Sequence, residues 1–98
     1  RCPPAPRRRV VGAADLAHAV SAIHGRAAVL ARSHPPAGLR CVRWITAPHD
    51  PAGFARALYG NLRALDAAHA DCILVEWVPD TAPWSAIRDR LGRAATPA

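Results

Sequence analysis

Five histidines, three cysteines and seven acids supply most of the reactive side chains in this chain. His18, His24, His34, His49 and His69 are scattered along it. Zinc sites draw their ligands from closely spaced pairs or from an H-E-x-x-H helix, and neither pattern occurs. His18 and His24 fall on different faces of one predicted helix, so no metal site is expected. Nucleophilic catalysis needs a nucleophile, a base and an orienting group within hydrogen-bond reach. Ser21, Ser33 and Ser85 lie in no elbow motif. Cys72 follows closely on His69, but a thiol inside an apolar strand is expected to be unreactive. No Walker A motif is present. Phosphate binding would rest on helix N-termini at Ala13, Pro51 and Pro83, which any small α/β domain offers. Asp15, Asp50 and Asp80 suit capping or turn positions. Glu76 stands out because it interrupts an apolar strand near its carboxyl end, where α/β sheets hold their ligands. Glu76, Arg88 and Arg90 are therefore the candidate ligand-binding residues. The plainer reading of Glu76 is an ion pair with Arg88 or Arg90, and it is the one adopted here.

The elements around these residues follow from hydrophobic spacing. Asp50 can accept from the first free amides of a helix, and Pro51 suits its first position. Phe54, Leu58, Leu62 and Leu65 then fall on one helical face, with Arg56 and Arg63 off it. The near-continuous apolar run 72–78 reads as a strand covered on both sides, ended by Pro79. Upstream, Arg7-Arg8-Arg9 reads as a solvated strand entry and Val10-Val11 as a short strand ending at Gly12. A helix follows with Leu16, Val20 and Ile23 on one face, stopped by Gly25 as its C′ residue. Residues 27–31 form a second buried strand. A loop with Pro35, Pro36 and Gly38 leads into an alternating strand over 40–46. That loop is too short for a helical crossover, so the third strand is expected either antiparallel to the second or at a more distant edge. Asp80 or Thr81 can cap a last helix with Trp84, Ile87 and Leu91 on its core side. The order β-α-β-β-α-β-α predicts a small three-layer, Rossmann-like α/β domain with a mostly parallel sheet of about four strands.

Composition narrows the class. Ninety-eight residues suffice for one core. Residues 1–6 carry three prolines and read as an interdomain linker, 7–95 as the folded domain, and 96–98 as a frayed tail. No apolar run is long enough to span a membrane. The chain starts without Met and without a signal core, and is expected to be a piece of a longer protein. Cys2, Cys41 and Cys72 are odd in number, widely spaced and without a C-x-x-C pair, so reduced thiols in a cytoplasmic protein are expected. Net charge is +6 and every cation is Arg, with no Lys. Arg pairs well with phosphate, which admits nucleotide or tRNA binding through an Arg-rich surface. An Ala-, Arg- and Pro-rich composition without Lys accounts for the same charge as a solubilising surface, and that is the reading adopted.

Three segments carry a family resemblance. They are F-A-R-A-L-Y-G-N-L-R-A-L-D at 54–66, D-C-I-L-V-E at 71–76, and W-S-A-I-R-D-R-L-G-R-A-A at 84–95. This run resembles the C-terminal domain of threonylcarbamoyl-AMP synthases of the long, Sua-type branch of the YrdC family. That family shows an L-Y-x-x-L-R-x-L-D helix, an I-L-V-E strand and a D-R-L-x-R-A-A helix. Ala27-Ala-Val-Leu-Ala-Arg32 is similar to the strand after the family's first helix. Residues 1–6 resemble a degenerate linker ending in R-H-Y-A-P, with Cys2 and Pro3-Pro4 in place of its His and Tyr. The resemblance implies a Rossmann-like accessory domain that sits against a YrdC-type catalytic domain. In the full enzymes that catalytic domain makes threonylcarbamoyl-adenylate from threonine, bicarbonate and ATP for the t6A modification of tRNA. The family's catalytic Lys, Arg, Ser and Asn positions belong to the YrdC domain and have no counterpart here. No catalytic residue and no cofactor is therefore carried over to this chain.

Two functions of different kinds follow as expectations. The first is an accessory or regulatory domain that docks on a YrdC-type domain, in cis or in trans. The second is a free-standing basic module that binds nucleotide or tRNA without catalysis. An independent enzyme has the least support, since no nucleophile–base or metal set can be assembled.

Overall fold

Strand residues here bury their side chains alternately on two faces, and the helices bury one stripe each. The computed structural model describes residues 7–23 and 25–95. The expected linker at 1–6, the expected tail at 96–98 and His24 lie outside the described residues. The elements run β1 (Arg7–Val11), α1 (Leu16–Ala22), β2 (Ala27–Ala31), β3 (Arg43–Thr46), α2 (Pro51–Asp66), β4 (Cys72–Glu76) and α3 (Ser85–Ala95). Short 3-10 turns at Ala13–Asp15 and Ala82–Trp84 lead into α1 and α3.

The four strands form one all-parallel sheet in the order β1-β4-β2-β3. The central pair is registered Ala27↔Cys72 through Leu30↔Val75, and β1 flanks it with Arg7↔Cys72 through Val11↔Glu76. Both central strands are buried along their whole length, which is why they read as unbroken apolar runs. Ala28, Leu30, Ile73 and Val75 meet α2 and α3 on one face. Val29, Cys72 and Leu74 meet Leu16 and Val20 of α1 on the other. The β1–β2 crossover passes over β4 on the α1 face, and the β3–β4 crossover returns over β2 on the α2 face. Crossovers in opposite directions on opposite faces share one hand, as parallel connections do.

α2 forms as the sequence predicts. Asp50 Oδ2 accepts from the Gly53 amide at 2.7 Å, Pro51 takes the first turn, and Phe54, Leu58, Leu62 and Leu65 are buried. Each such side chain contributes about 1.5–3 kcal/mol by leaving water. Trp84 does the same from the 3-10 turn before α3, and Ile87 and Leu91 from α3 itself. The Phe54 and Trp84 rings meet edge to face, 5.5 Å apart, and tie the two helices together at their first turns.

Several expectations need correction. The Arg triplet lies within β1 rather than at its entry. It can do so because β1 is an edge strand: Arg7 and Arg9 stay in solvent, and Arg8 reaches Asp66 at 2.9 Å. The third strand is neither antiparallel nor remote. It runs parallel to β2 and directly beside it, from Arg43 to Thr46 only. Its connection needs no helix, because extended chain covers about 3.3 Å per residue against 1.5 Å in a helix. Leu39 and Cys41 of that connection pack on the α1 face, so Cys41 precedes the strand instead of lying inside it. β4 ends at Glu76, two residues short of Val78. Asp15 and Thr81 occupy N-cap positions without a side-chain cap bond, and Asp80 lies 3.6 Å from Arg88. Gly25 does fall just past α1, at φ +125°.

Candidate functional site at the carboxyl edge of the sheet

β1 and β4 are neighbours whose following helices leave to opposite faces of the sheet. Such a switch point opens a crevice at the carboxyl ends of the strands, the usual place for a ligand in an open α/β sheet. Glu76 ends β4 at that edge and is only 6% exposed. Its side chain falls on the α1 face, two and four residues after Leu74 and Cys72. Oε1 accepts from the Arg32 amide at 3.1 Å and Oε2 from Ser33 Oγ at 3.2 Å. The carboxylate thus holds the chain where it leaves β2. Ser33 also receives the Trp44 indole N–H on its carbonyl, at 3.0 Å.

The expected ion pair of Glu76 with Arg88 or Arg90 does not form. Both arginines sit on α3, which packs on the opposite face from the Glu76 side chain, so strand alternation separates them. Arg88 instead lies over the Trp77 ring at 4.6 Å and donates to the Val78 carbonyl at 2.7 Å. Arg90 is exposed, and no hydrogen bond or ion pair joins it to another described residue. Of the three candidates, Glu76 and Arg88 reach the carboxyl edge from its two sides, while Arg90 points away.

Arg32 was not singled out as a site residue in the sequence, and Trp84 was read only as a core residue of the last helix. Arg32 follows β2 directly, and its guanidinium stacks 5.0 Å from the Trp84 ring centroid. Trp84 is itself buried. The available signal was a cation placed immediately after a buried strand, which also describes many solvated loop residues.

The other groups considered for chemistry are occupied or apart. Ser21 and Ser85 hydroxyls donate to the carbonyls of Ala17 and Ala82. His69 lies in an exposed turn at φ 57°. Cys72 is buried, and burial pushes its thiol above the usual range, while Arg9 and then Arg7 pull it partly back. Asp50 already places a carboxylate at the α2 N-terminus. Among the described residues, no three His, Cys, Asp or Glu side chains converge to hold a metal. A 420 Å³ groove lies at the other end of the sheet, between the end of α1 and residues 38–40.

The fold and its carboxyl edge therefore define a small Rossmann-like α/β unit built around a parallel sheet. The family model for the threonylcarbamoyl-AMP synthase C-terminal domain matches residues 3–96. The chain belongs to that family. Searches of curated proteins and of solved structures return no match. No helix among the described residues is long and apolar enough to cross a membrane.

Proposed function

We propose that this chain serves as the accessory domain of an L-threonylcarbamoyladenylate synthase in tRNA t6A biosynthesis. In this reading it docks on a YrdC-type catalytic domain, in cis or in trans, and shapes access of ATP, threonine and bicarbonate to that domain. A cytoplasmic setting with reduced thiols belongs to the same reading. The family match over residues 3–96 carries the proposal. The carboxyl edge supports it, because Arg32, Glu76 and Arg88 gather there from three separate segments. The test is pyrophosphate release by a YrdC-type domain from the same source, measured with and without the chain. A changed rate or a changed KM for ATP or threonine is expected. Identical kinetics at saturating chain would remove the regulatory role.

The all-Arg charge of +6, with Arg7 and Arg9 exposed on β1, favours a second reading as a tRNA- or nucleotide-binding module. Phosphate contacts release counterions, so such binding must weaken steeply as salt rises. Affinity for tRNA that is indifferent to salt would exclude it.

A further inference from the structure

Arginines that reach across this fold find acceptors for the N–H groups along the guanidinium edge. Arg8 donates to Asp66 at 2.9 Å, and Arg26 to the carbonyls of His69 and Ala68 at 3.2 and 3.4 Å. Arg88 donates to Val78 at 2.7 Å. Arg32 is different. It is half-buried, its Nε is sealed from solvent, and that Nε has no hydrogen-bond partner. Among the described residues no carboxylate lies within ion-pair distance of its guanidinium. Glu76 does not fill the role, because its oxygens take the Arg32 backbone amide and the Ser33 hydroxyl. Stacking on Trp84 does not fill it either. The guanidinium carbon lies 5.0 Å from the Trp84 ring centroid, and an aromatic face is at most a weak acceptor beside a carbonyl or a carboxylate. Arg88 shows the contrast: its guanidinium lies 4.6 Å from the Trp77 ring centroid and still donates to the Val78 carbonyl.

We propose that Arg32 anchors an oxyanion-binding site at the carboxyl ends of β2 and β4. The cation is preorganised. Glu76 holds its amide, Trp84 lies beside its guanidinium, and the edge-to-face contact of Phe54 holds Trp84. Arg32 directly follows β2, at the carboxyl edge where an open α/β sheet receives ligands, and of its guanidinium nitrogens only Nε is sealed without a partner among the described residues. A planar fork of donors without an acceptor among the described residues matches paired oxygens of a phosphoryl or carboxylate group. The ligand class is a small oxyanion, carried as free phosphate, as a phosphomonoester or as a carboxylate.

The test is an NMR titration of the full 98-residue chain. The Arg32 Nε–H is shielded from water and should exchange slowly enough to be followed directly. Sodium phosphate, AMP and sodium acetate are added separately at constant ionic strength. The Arg32 Nε–H resonance should shift saturably with phosphate. Arg32→Gln should weaken binding, followed at the Ser33 amide, by about tenfold or more, the worth of one lost charge-assisted hydrogen bond. Arg40→Gln, at an exposed position, should bind as the wild type does. AMP saturating below phosphate supports a phosphomonoester ligand, and acetate matching phosphate supports a carboxylate. Drift without saturation for all three probes overturns the site, as does unchanged affinity in Arg32→Gln. If that variant does not fold, the wild-type titration decides alone.

Discussion

Glu76 commits both carboxylate oxygens to the chain leaving β2, and that places its role in the loop rather than on α3. Glu76→Leu removes both acceptors and leaves the Arg32 amide and the Ser33 hydroxyl without them. It should lower the unfolding free energy by about 1–3 kcal/mol in urea titrations, the cost of an unsatisfied buried polar group. Arg88→Gln should leave the Ser33 amide resonance in place, because Arg88 lies on the opposite face from the Glu76 side chain that binds Ser33. Gly25 is constrained in a different way. At φ +125° a side chain is strained, and an added Cβ would meet the Asp71 carboxylate that accepts the Arg26 amide at 2.8 Å. Gly25→Ala should cost about 1–3 kcal/mol by the same measurement. Cys72 makes stability depend on pH. Its thiol is raised chiefly by burial, so its contribution is fully present below the ordinary thiol range and is lost as pH climbs through the raised value. Cys72→Ala should flatten the loss of urea midpoint above about pH 8.5, where unfolded thiols begin to ionise.

At the scale of elements, α2 is the part whose local signals agree most fully. Its cap, its first-turn proline and its four buried residues all point to the same helix. Asp50→Ala should cost about 0.5–2 kcal/mol, as loss of an N-cap does. Leu65→Ala, at a fully buried position, should cost about 2–5 kcal/mol through the cavity it leaves. These features were legible because a cap and a helical stripe are local. Buried strands β2 and β4 were legible for the same reason, being runs of apolar residues. What stayed hidden depends on neighbours distant in sequence. The direction of β3 is set by a connection that packs Leu39 and Cys41 on the α1 face. Arg7, Arg8 and Arg9 read as a strand only once β4 offers them a pairing partner. The partner of Glu76 followed from which sheet face it occupies, and that depends on register. Arg32 was invisible as a site residue because Trp84, which orients it, lies 52 positions further on.

At the scale of the whole molecule, the family match covers nearly all of the chain, and the central proposal is that the domain acts by docking. A sheet with helices on both faces leaves its carboxyl edge as the place where loops from several elements meet. That edge holds a buried carboxylate and two tryptophan-stacked arginines. The most direct test is sedimentation velocity of the purified chain mixed with a YrdC-type catalytic domain from the same source. The account predicts a single faster boundary that contains both proteins and saturates at a one-to-one ratio. Two independent boundaries, unchanged with concentration and with ATP and threonine present, would contradict it.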